Sequence, residues 1–411
     1  MNIIELTELQ FKNYSNIHSR KNYKQSVEYA TLEETKNYKK LYLGLIDENE
    51  NVHAATMILE KKLNNKYKYG YIPNGYLIDF NNTELLKTFT TQLKAYLKKL
   101  NYTHIRITPL INYQIYSSNF ILKENNTNII NTFKSLGYTY LNNTSKHKMV
   151  LFTNNIENTY NNFKRSLKRN INECLKKGIT IYQGNENNIE DFLNLTDNKP
   201  YYKNMINIFN NPNNKFEFYF AKLEPVTYIN NYRYLLKKEQ INNEKLNQKL
   251  KNPNIKKSNN LLSKKMTSDR LITKYNNEII NGTNIYKMYP QGSILSAVGI
   301  INNQKEIIFI TEGYNKDFKH IRSIPMIKWE IIKKYISNGC TKFDLGDISI
   351  SKNYTTKSGY NGNIIEYSNT FDLVINDMMY KLNNMTKKKW QSLFLFFDIK
   401  INFFHKKKRK Y

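Results

Sequence analysis

The chain has 411 residues, 40% of them hydrophobic, and carries 63 Lys and Arg against 34 Asp and Glu, a formal net charge of +29. This composition excludes a disordered chain and supplies material for two or three packed units, while the positive excess calls for nucleic acid, anionic lipid or phosphorylated substrates as partners. A general bias toward Lys, Asn, Ile and Tyr accounts for part of that charge; no apolar run approaches the ~20 residues of a spanning helix, and the two cysteines, Cys174 and Cys340, suggest neither a disulfide framework nor a zinc site.

Met1–Asn22 lacks the continuous apolar core of a signal peptide, which predicts a cytosolic protein. A first unit, residues 1–150, is expected to be mixed α/β. It opens with a helix containing Tyr23–Glu34, then strands Leu41–Asp47 and His53–Glu60 around the turn DENEN, and a strand, Pro/Gly turn and strand in YGYIPNGYLIDF. Thr83–Leu100 places Leu85, Phe89, Leu93, Leu97 and Leu100 on one helical face, and Thr103–Thr108 alternates as a strand. A shorter helix, Ile129–Leu136, stops at Gly137 and leads into YTYL.

The second unit is read as 151–227 and 284–382, with MVLF leading into it. NFKRSLKRNINECLKKGITIYQGN predicts an amphipathic helix with Phe163, Leu167, Ile171 and Leu175 inward and Lys164, Arg165, Lys168 and Arg169 on the other side. Gly178 ends that helix as a left-handed cap. A basic face of this kind is either a solvated surface or an anion site. Further on, MIKWEIIKKYISNGCTKFDLGD repeats the logic of TELLKTFTTQLKAYLKKLNYTHIRITP: long helix, cap at Gly339 or Asn101, short strand. The halves therefore read as structural repeats.

Between them, residues 228–283 have almost no glycine and a central Pro253. Tyr228, Tyr232, Leu235, Leu246 and Leu250 precede the turn, and Leu262, Met266, Leu271, Tyr275 and Ile279 follow it. That spacing predicts a projecting antiparallel helical hairpin with a thin apolar seam. In 383–411, an apolar block from Leu393 to Phe404 lies between Lys387–Lys389 and Lys406–Lys410. It reads either as a last packed helix with a solvated tail or as a contact with an anionic membrane surface.

The order of YGYIPNGYLIDF, the basic helix, the hairpin, PMIKWEIIKKYISNGCTKFDLGD and TTKSGYNGNIIEYSNTFDLVIN resembles the FemABX family of peptidoglycan bridge-forming aminoacyltransferases, from Tyr23 to Leu382. The resemblance implies two tandem GNAT-like domains with a hairpin (coiled-coil) arm. An amine of a muramyl peptide, carried by lipid II or UDP-muramyl-pentapeptide, then attacks the ester of an aminoacyl-tRNA donor, Gly, Ser or Ala being the transferred residue. It implies no metal and no bound cofactor, and a cytoplasmic enzyme at or near the inner face of the membrane. Lys357 falls where the family has a lysine at the donor end of the tRNA, Tyr201 matches a tyrosine near the acceptor, and Lys36 lies one turn beyond a phosphate-binding position occupied here by Glu33. On this reading the basic helix contacts phosphate.

Departures from the family pattern are Thr108 where an aspartate is common, Thr356 for an aromatic, Asp347 for a glycine, and a shortened 196–201 region without the acceptor arginine. They favour substrate-assisted proton transfer over a protein base. Of the carboxylates in FDLGD, Asp344 is the one expected to orient an amine, with the capping of a turn as its other reading. Three rivals stand beside this: an acyl-CoA enzyme, for which the Q/R-x-x-G-x-G/A loop is missing; an RNA-binding GNAT-like protein of different specificity; and a member without catalysis.

Overall fold

The structure is a computed structural model, and it describes residues 1–141, 147–251, 259–349 and 354–384. The expected C-terminal membrane segment therefore lies, from residue 385 on, outside the described residues.

Two compact units form: Met1–Tyr116 with Leu122–His147 and, among the described residues, 365–384; and Ser117–Ile121 with Lys148–Ile364. This division groups 365–382, read from sequence as part of the second unit, and 383–384, read as the start of the C-terminal segment, with the first unit. The first unit contains β1 (Asn2–Glu5), α1 (Glu8–Ile17), α2 (Val27–Glu34), β2 (Lys39–Ile46), β3 (Val52–Lys62), β4 (Lys68–Pro73), α3 (Thr83–Lys99), β5 (Tyr102–Thr108), β6 (Asn112–Tyr116), β7 (Leu122–Asn125), α4 (Asn128–Ser135) and β8 (Tyr138–Leu141). The expected Tyr23–Glu34 helix is broken at Ser26, whose side chain caps α2 by accepting from the Tyr29 N–H.

The second unit runs from β9 (His147–Phe152) through α5 (Ile156–Asn162), α6 (Arg165–Lys176), β10 (Ile179–Gln183), α7 (Ile189–Leu195), α8 (Lys199–Ile208), β11 (Asn210–Asn211) and β12 (Asn214–Leu223). The hairpin helices α9 (Pro225–Lys251) and α10 (Asn259–Met288) follow, then β13 (Ser293–Asn302), β14 (Glu306–Tyr314), α11 (Ile324–Ser337), β15 (Lys342–Ile348) and the single turn α12 (Tyr354–Lys357). β16 (Asn363–Tyr367) carries the chain back to β17 (Thr370–Val374).

In the first unit the strand order is β1-β2-β3-β4-β5-β17-β8. β4 and β5 are parallel, joined by α3, whose Leu86, Phe89, Leu93 and Leu97 are fully buried against Ile58, Ile72, Ile105 and Leu373. β17 inserts beside β5, with Arg106 bonded to the buried Asp372 carboxylate through two hydrogen bonds of 2.8 and 2.7 Å. The second unit repeats the motif: in the order β10-β12-β13-β14-β15-β9, β14 and β15 are parallel and joined by α11. Asn101 and Gly339 both take left-handed conformations at the helix ends, as the two sequences predict.

The arm is an antiparallel helix pair, but its seam differs from the apolar one expected. Tyr228, Tyr232 and Tyr275 are buried at its base, whereas Leu262 and Met266 are exposed. The distal seam is polar: Asn243 Nδ2 donates to Ser268 Oγ at 3.0 Å and Asp269 Oδ1 at 2.8 Å. At the base, Lys177 Nζ donates to Tyr228 Oη at 2.7 Å and to Glu278 Oε2 at 2.6 Å, while Lys274 pairs with Glu173 at 3.3 Å.

Candidate functional site

Parallel strands joined by a helix place their carboxyl ends side by side, and a crevice opens where neighbouring strands part. In the second unit the β14–β15 register runs from Glu306↔Lys342 to Ile308↔Asp344 and stops, although β14 continues to Tyr314 and β15 to Ile348. Asp344 is the last paired residue of β15, and beyond that point the strand ends carry Glu312 on β14 and Gly346 and Asp347 on β15. Lys357, at the end of α12, reaches into this opening and donates from Nζ to the Asp347 carbonyl oxygen at 2.9 Å.

The electrostatics follow from the geometry. Burial, followed by the neighbouring Lys328 ammonium, draws the Lys357 pKa from its ordinary 10.5 down to about 8, against the pull of Glu312, Asp344 and Asp347. Lys328 itself is buried on α11 and pairs with Glu312 at 2.5 Å. Glu312 keeps 38% of its side chain accessible. Burial raises its carboxyl, but Lys328 and Lys357 outweigh that and hold it below its ordinary range.

Asp344 is buried, and its oxygens are engaged from two sides: Lys148 Nζ lies 2.6 Å from Oδ2, and the Gly346 N–H donates to Oδ1 at 2.8 Å. Burial raises this carboxyl too, and the Lys148 charge and these hydrogen bonds overcome it, so it titrates below the usual range. The side chain thus caps the turn that presents the Asp347 carbonyl to Lys357. Gly346 has φ +85°, and a Cβ there would lie 3.1 Å from Lys357 Nζ, so glycine meets both the backbone and the space requirement.

The basic helix begins at Arg165, later than the sequence predicts, because Asn162 ends the preceding helix. Phe163 closes α5 and Lys164 caps α6 in extended conformation, its N–H donating to Gly359 O at 2.9 Å. This bond, with Leu167 packed at Gly359 and Phe163 against Tyr360 at 5.3 Å, seats the start of α6 against the Lys357 segment. Leu167, Ile171 and Cys174 are buried, but Leu175, expected inward, is 51% exposed: after Ile171 the buried stripe of α6 steps by three residues to Cys174 and not by four to Leu175. Arg165 and Arg169 are exposed. Lys168 instead folds back, donating to Asn161 O at 2.7 Å.

Tyr201 stands on α8, its ring edge-on to Tyr202 at 5.4 Å. In the first unit Lys36 pairs with Glu33 at 2.8 Å, and Thr108 Oγ1 lies 3.3 Å from Tyr71 Oη. The structure thus joins Lys357, Asp344 and the start of the basic helix around one opening, and adds Glu312, Lys328 and Lys148, which sequence reasoning missed. Lys328 had a signal: it occupies the apolar stripe of α11 with Ile324, Ile327, Ile331 and Ile332, where an unpaired lysine would be costly. Among the described residues no cluster of metal-ligating side chains occurs, and no helix is long and apolar enough to cross a membrane.

Comparison with known proteins gives concordant results. The FemAB family model matches residues 6–388. Aminoacyltransferase FemA of Staphylococcus epidermidis is 25% identical over 378 residues, covering 84% of this chain and 89% of that protein. Aminoacyltransferase FemA of Staphylococcus aureus (strain bovine RF122 / ET3-1) is 23% identical over 439 residues, covering 96% and 100%. Among solved structures, the crystal structure of FemX superposes with a TM-score of 0.69 at 17% identity, covering 93% of this chain and 99% of that one.

Proposed function

We propose a function from one premise: the chain belongs to the FemAB family. Its fold is the FemX-like one, two tandem GNAT-like domains with a long helix pair, and it is a FemA-like aminoacyltransferase. The proposal is that aminoacyl-tRNA is the donor, carrying Gly, Ser or Ala, and that an amine of a peptidoglycan-precursor peptide is the acceptor. The amine nitrogen attacks the ester carbonyl, a C–N bond forms, the C–O bond to the terminal ribose breaks, and the ribose oxygen takes up the proton the amine gives off. Repeated along the wall, that amide is an interpeptide bridge.

The observation that carries this reading is Lys357 at the unpaired ends of β14 and β15 in a chain matched to FemA proteins over most of its length. In its protonated form Lys357 supplies a compact cation for the developing oxyanion or a donor phosphate, in surroundings that strengthen the interaction. Asp344 acts through the turn it caps, as a positioning residue. Arg165 and Arg169 offer exposed charge for phosphate next to Lys164 and Lys168, and Tyr201 and Lys36 are proposed on the acceptor side. Proton transfer within the substrates suits Thr108, which is no base.

Turnover is the test. Purified protein is incubated with glycyl-, seryl- or alanyl-tRNA and either lipid II or UDP-muramyl-pentapeptide, and products are read by mass. One added residue on the peptide is the expected result; no transfer from any of the donors to either acceptor overturns the reading.

A further inference from the structure

The turn Ser117–Ile121 ends the β6–β7 hairpin with an unusual surface. Phe120 is 39% exposed, Ile121 67% and the next residue, Leu122, 49%. Three consecutive exposed apolar side chains at a loop tip are a liability in water unless something covers them. Phe120 also has φ +61°, a region that bulky residues rarely occupy, and its ring lies 5.2 Å from that of Tyr354.

Four of the five backbone N–H groups of Ser117–Ile121 donate within the turn. Ser117 N–H donates to Ile121 O at 2.8 Å and Phe120 N–H to Ser117 O at 3.0 Å, while the Asn119 and Ile121 N–H groups donate to Ser117 Oγ at 3.3 and 3.2 Å. Ser118 O accepts from Tyr354 Oη at 2.6 Å, and the Ser118 hydroxyl donates to Asn361 Oδ1. A turn with most of its N–H groups so used loses less on entering the polar, partly hydrated interfacial layer than an open loop would.

We propose that Phe120, Ile121 and Leu122 form an insertion tip that docks on the interfacial layer of an anionic membrane. The aliphatic pair decides against a nucleobase platform, because stacking calls for flat π faces and Ile and Leu have none. The formal charge of +29 favours an anionic over a neutral surface, and Lys123 beside the tip outweighs nothing more than its neighbour Glu124, so the attraction comes from the chain as a whole. Through Tyr354 and Asn361 the tip is tied to both ends of the segment carrying Lys357, so docking would hold that segment at the bilayer surface. The inference goes beyond the transfer reaction and does not require it.

Two measurements test it on the full-length protein. In vesicle sedimentation, Ile121→Ser/Leu122→Ser should bind phosphatidylglycerol-containing vesicles about tenfold more weakly than wild type, from the loss of two aliphatic contacts, with unchanged thermal stability and unchanged transfer to a soluble acceptor. Cys174 and Cys340 are buried, so Ile121→Cys can be labelled selectively with an environment-sensitive dye. Its emission should shift to the blue on those vesicles, less on phosphatidylcholine alone, and be quenched by brominated acyl chains. Unchanged binding by the double variant, or a dye that responds to tRNA or to a protein partner but not to brominated lipid, overturns the proposal. Because lipid binding and turnover are read separately, failure of the one is distinct from failure of the other.

Discussion

Lys357 donates to the main-chain oxygen of Asp347 at 2.9 Å, past the last paired residues of β14 and β15. A backbone carbonyl does not neutralise the ammonium, and its pKa of about 8 leaves it protonated at neutral pH yet close to titration. Lys357→Ala should therefore lower kcat about 100-fold or more, the scale of losing one donor to a developing charge. The wild-type rate should fall as pH rises through about 8, the folded pKa of this group. Lys357→Arg keeps the cation and should shift that fall to higher pH at a reduced rate, because its planar fork differs from a point charge. A steady pH–rate profile across this range in the wild type would count against the cationic role.

The same lysine makes a stability prediction of opposite character. Below pH 8 both folded and unfolded chains hold its proton; between about 8 and the ordinary 10.5 only the unfolded chain does. Unfolding then takes up protons, so this group makes stability rise with pH across that window. Lys357→Met should remove that rise and, at neutral pH, stabilise the protein by roughly 1 kcal/mol after allowing for the lysine's partial exposure. Paired denaturant titrations of wild type and variant at pH 7 and at higher pH measure both effects.

Asp344 behaves in the reverse sense. Its carboxyl is held below the ordinary range by Lys148 and the Gly346 N–H in spite of burial. Its contribution is therefore present above the unfolded carboxylate pKa and is lost as pH falls through the lower, folded one. Asp344→Asn removes the carboxylate charge 2.6 Å from the Lys148 ammonium, itself 24% exposed. The expected cost is roughly 2 to 3 kcal/mol, below the range for fully buried pairs because Lys148 retains solvent. The variant should lose the wild type's extra acid sensitivity, and its kcat should drop less than that of Lys357→Ala, since Asp344 acts through the turn.

The long-range periodicities carried most of the fold. α3 and α11 were legible because Leu93 and Leu97, or Ile327 and Ile331, recur at helical spacing in amphipathic runs of several turns that end at a left-handed cap. The insertion of β17 beside β5 was not, because a five-residue strand has no local signal for its neighbour and the Arg106–Asp372 pair joins residues far apart in sequence. The site was partly legible. Lys357 and Asp344 stand in recognisable motifs, but Glu312 becomes a site residue only through Lys328, and that pairing depends on how β14 and α11 pack. Leu175 differs for a local reason: three- and four-residue steps from Ile171 both fit helical spacing, and Cys174 takes the buried place.

The arm offers the last prediction. The sequence predicts residues 228–283 as one projecting hairpin; the structure divides it into an anchored base and a distal half. Tyr232 is fully buried, Tyr228 and Tyr275 nearly so, and the Lys177, Glu278, Lys274 and Glu173 side chains tie this base to α6. Tyr232→Ala should cost about 3 to 5 kcal/mol, as for other large buried aromatics. The distal half is different: its seam is the Asn243–Ser268–Asp269 hydrogen-bond set, which fixes register more than it adds stability, and Leu262 and Met266 face solvent. Replacing residues 239–269 with a short linker should therefore leave Tm within a few degrees, while raising the apparent KM for aminoacyl-tRNA if the arm engages the donor. A large fall in Tm would show that the distal arm carries stability after all. An unchanged KM at unchanged Tm would remove it from donor binding.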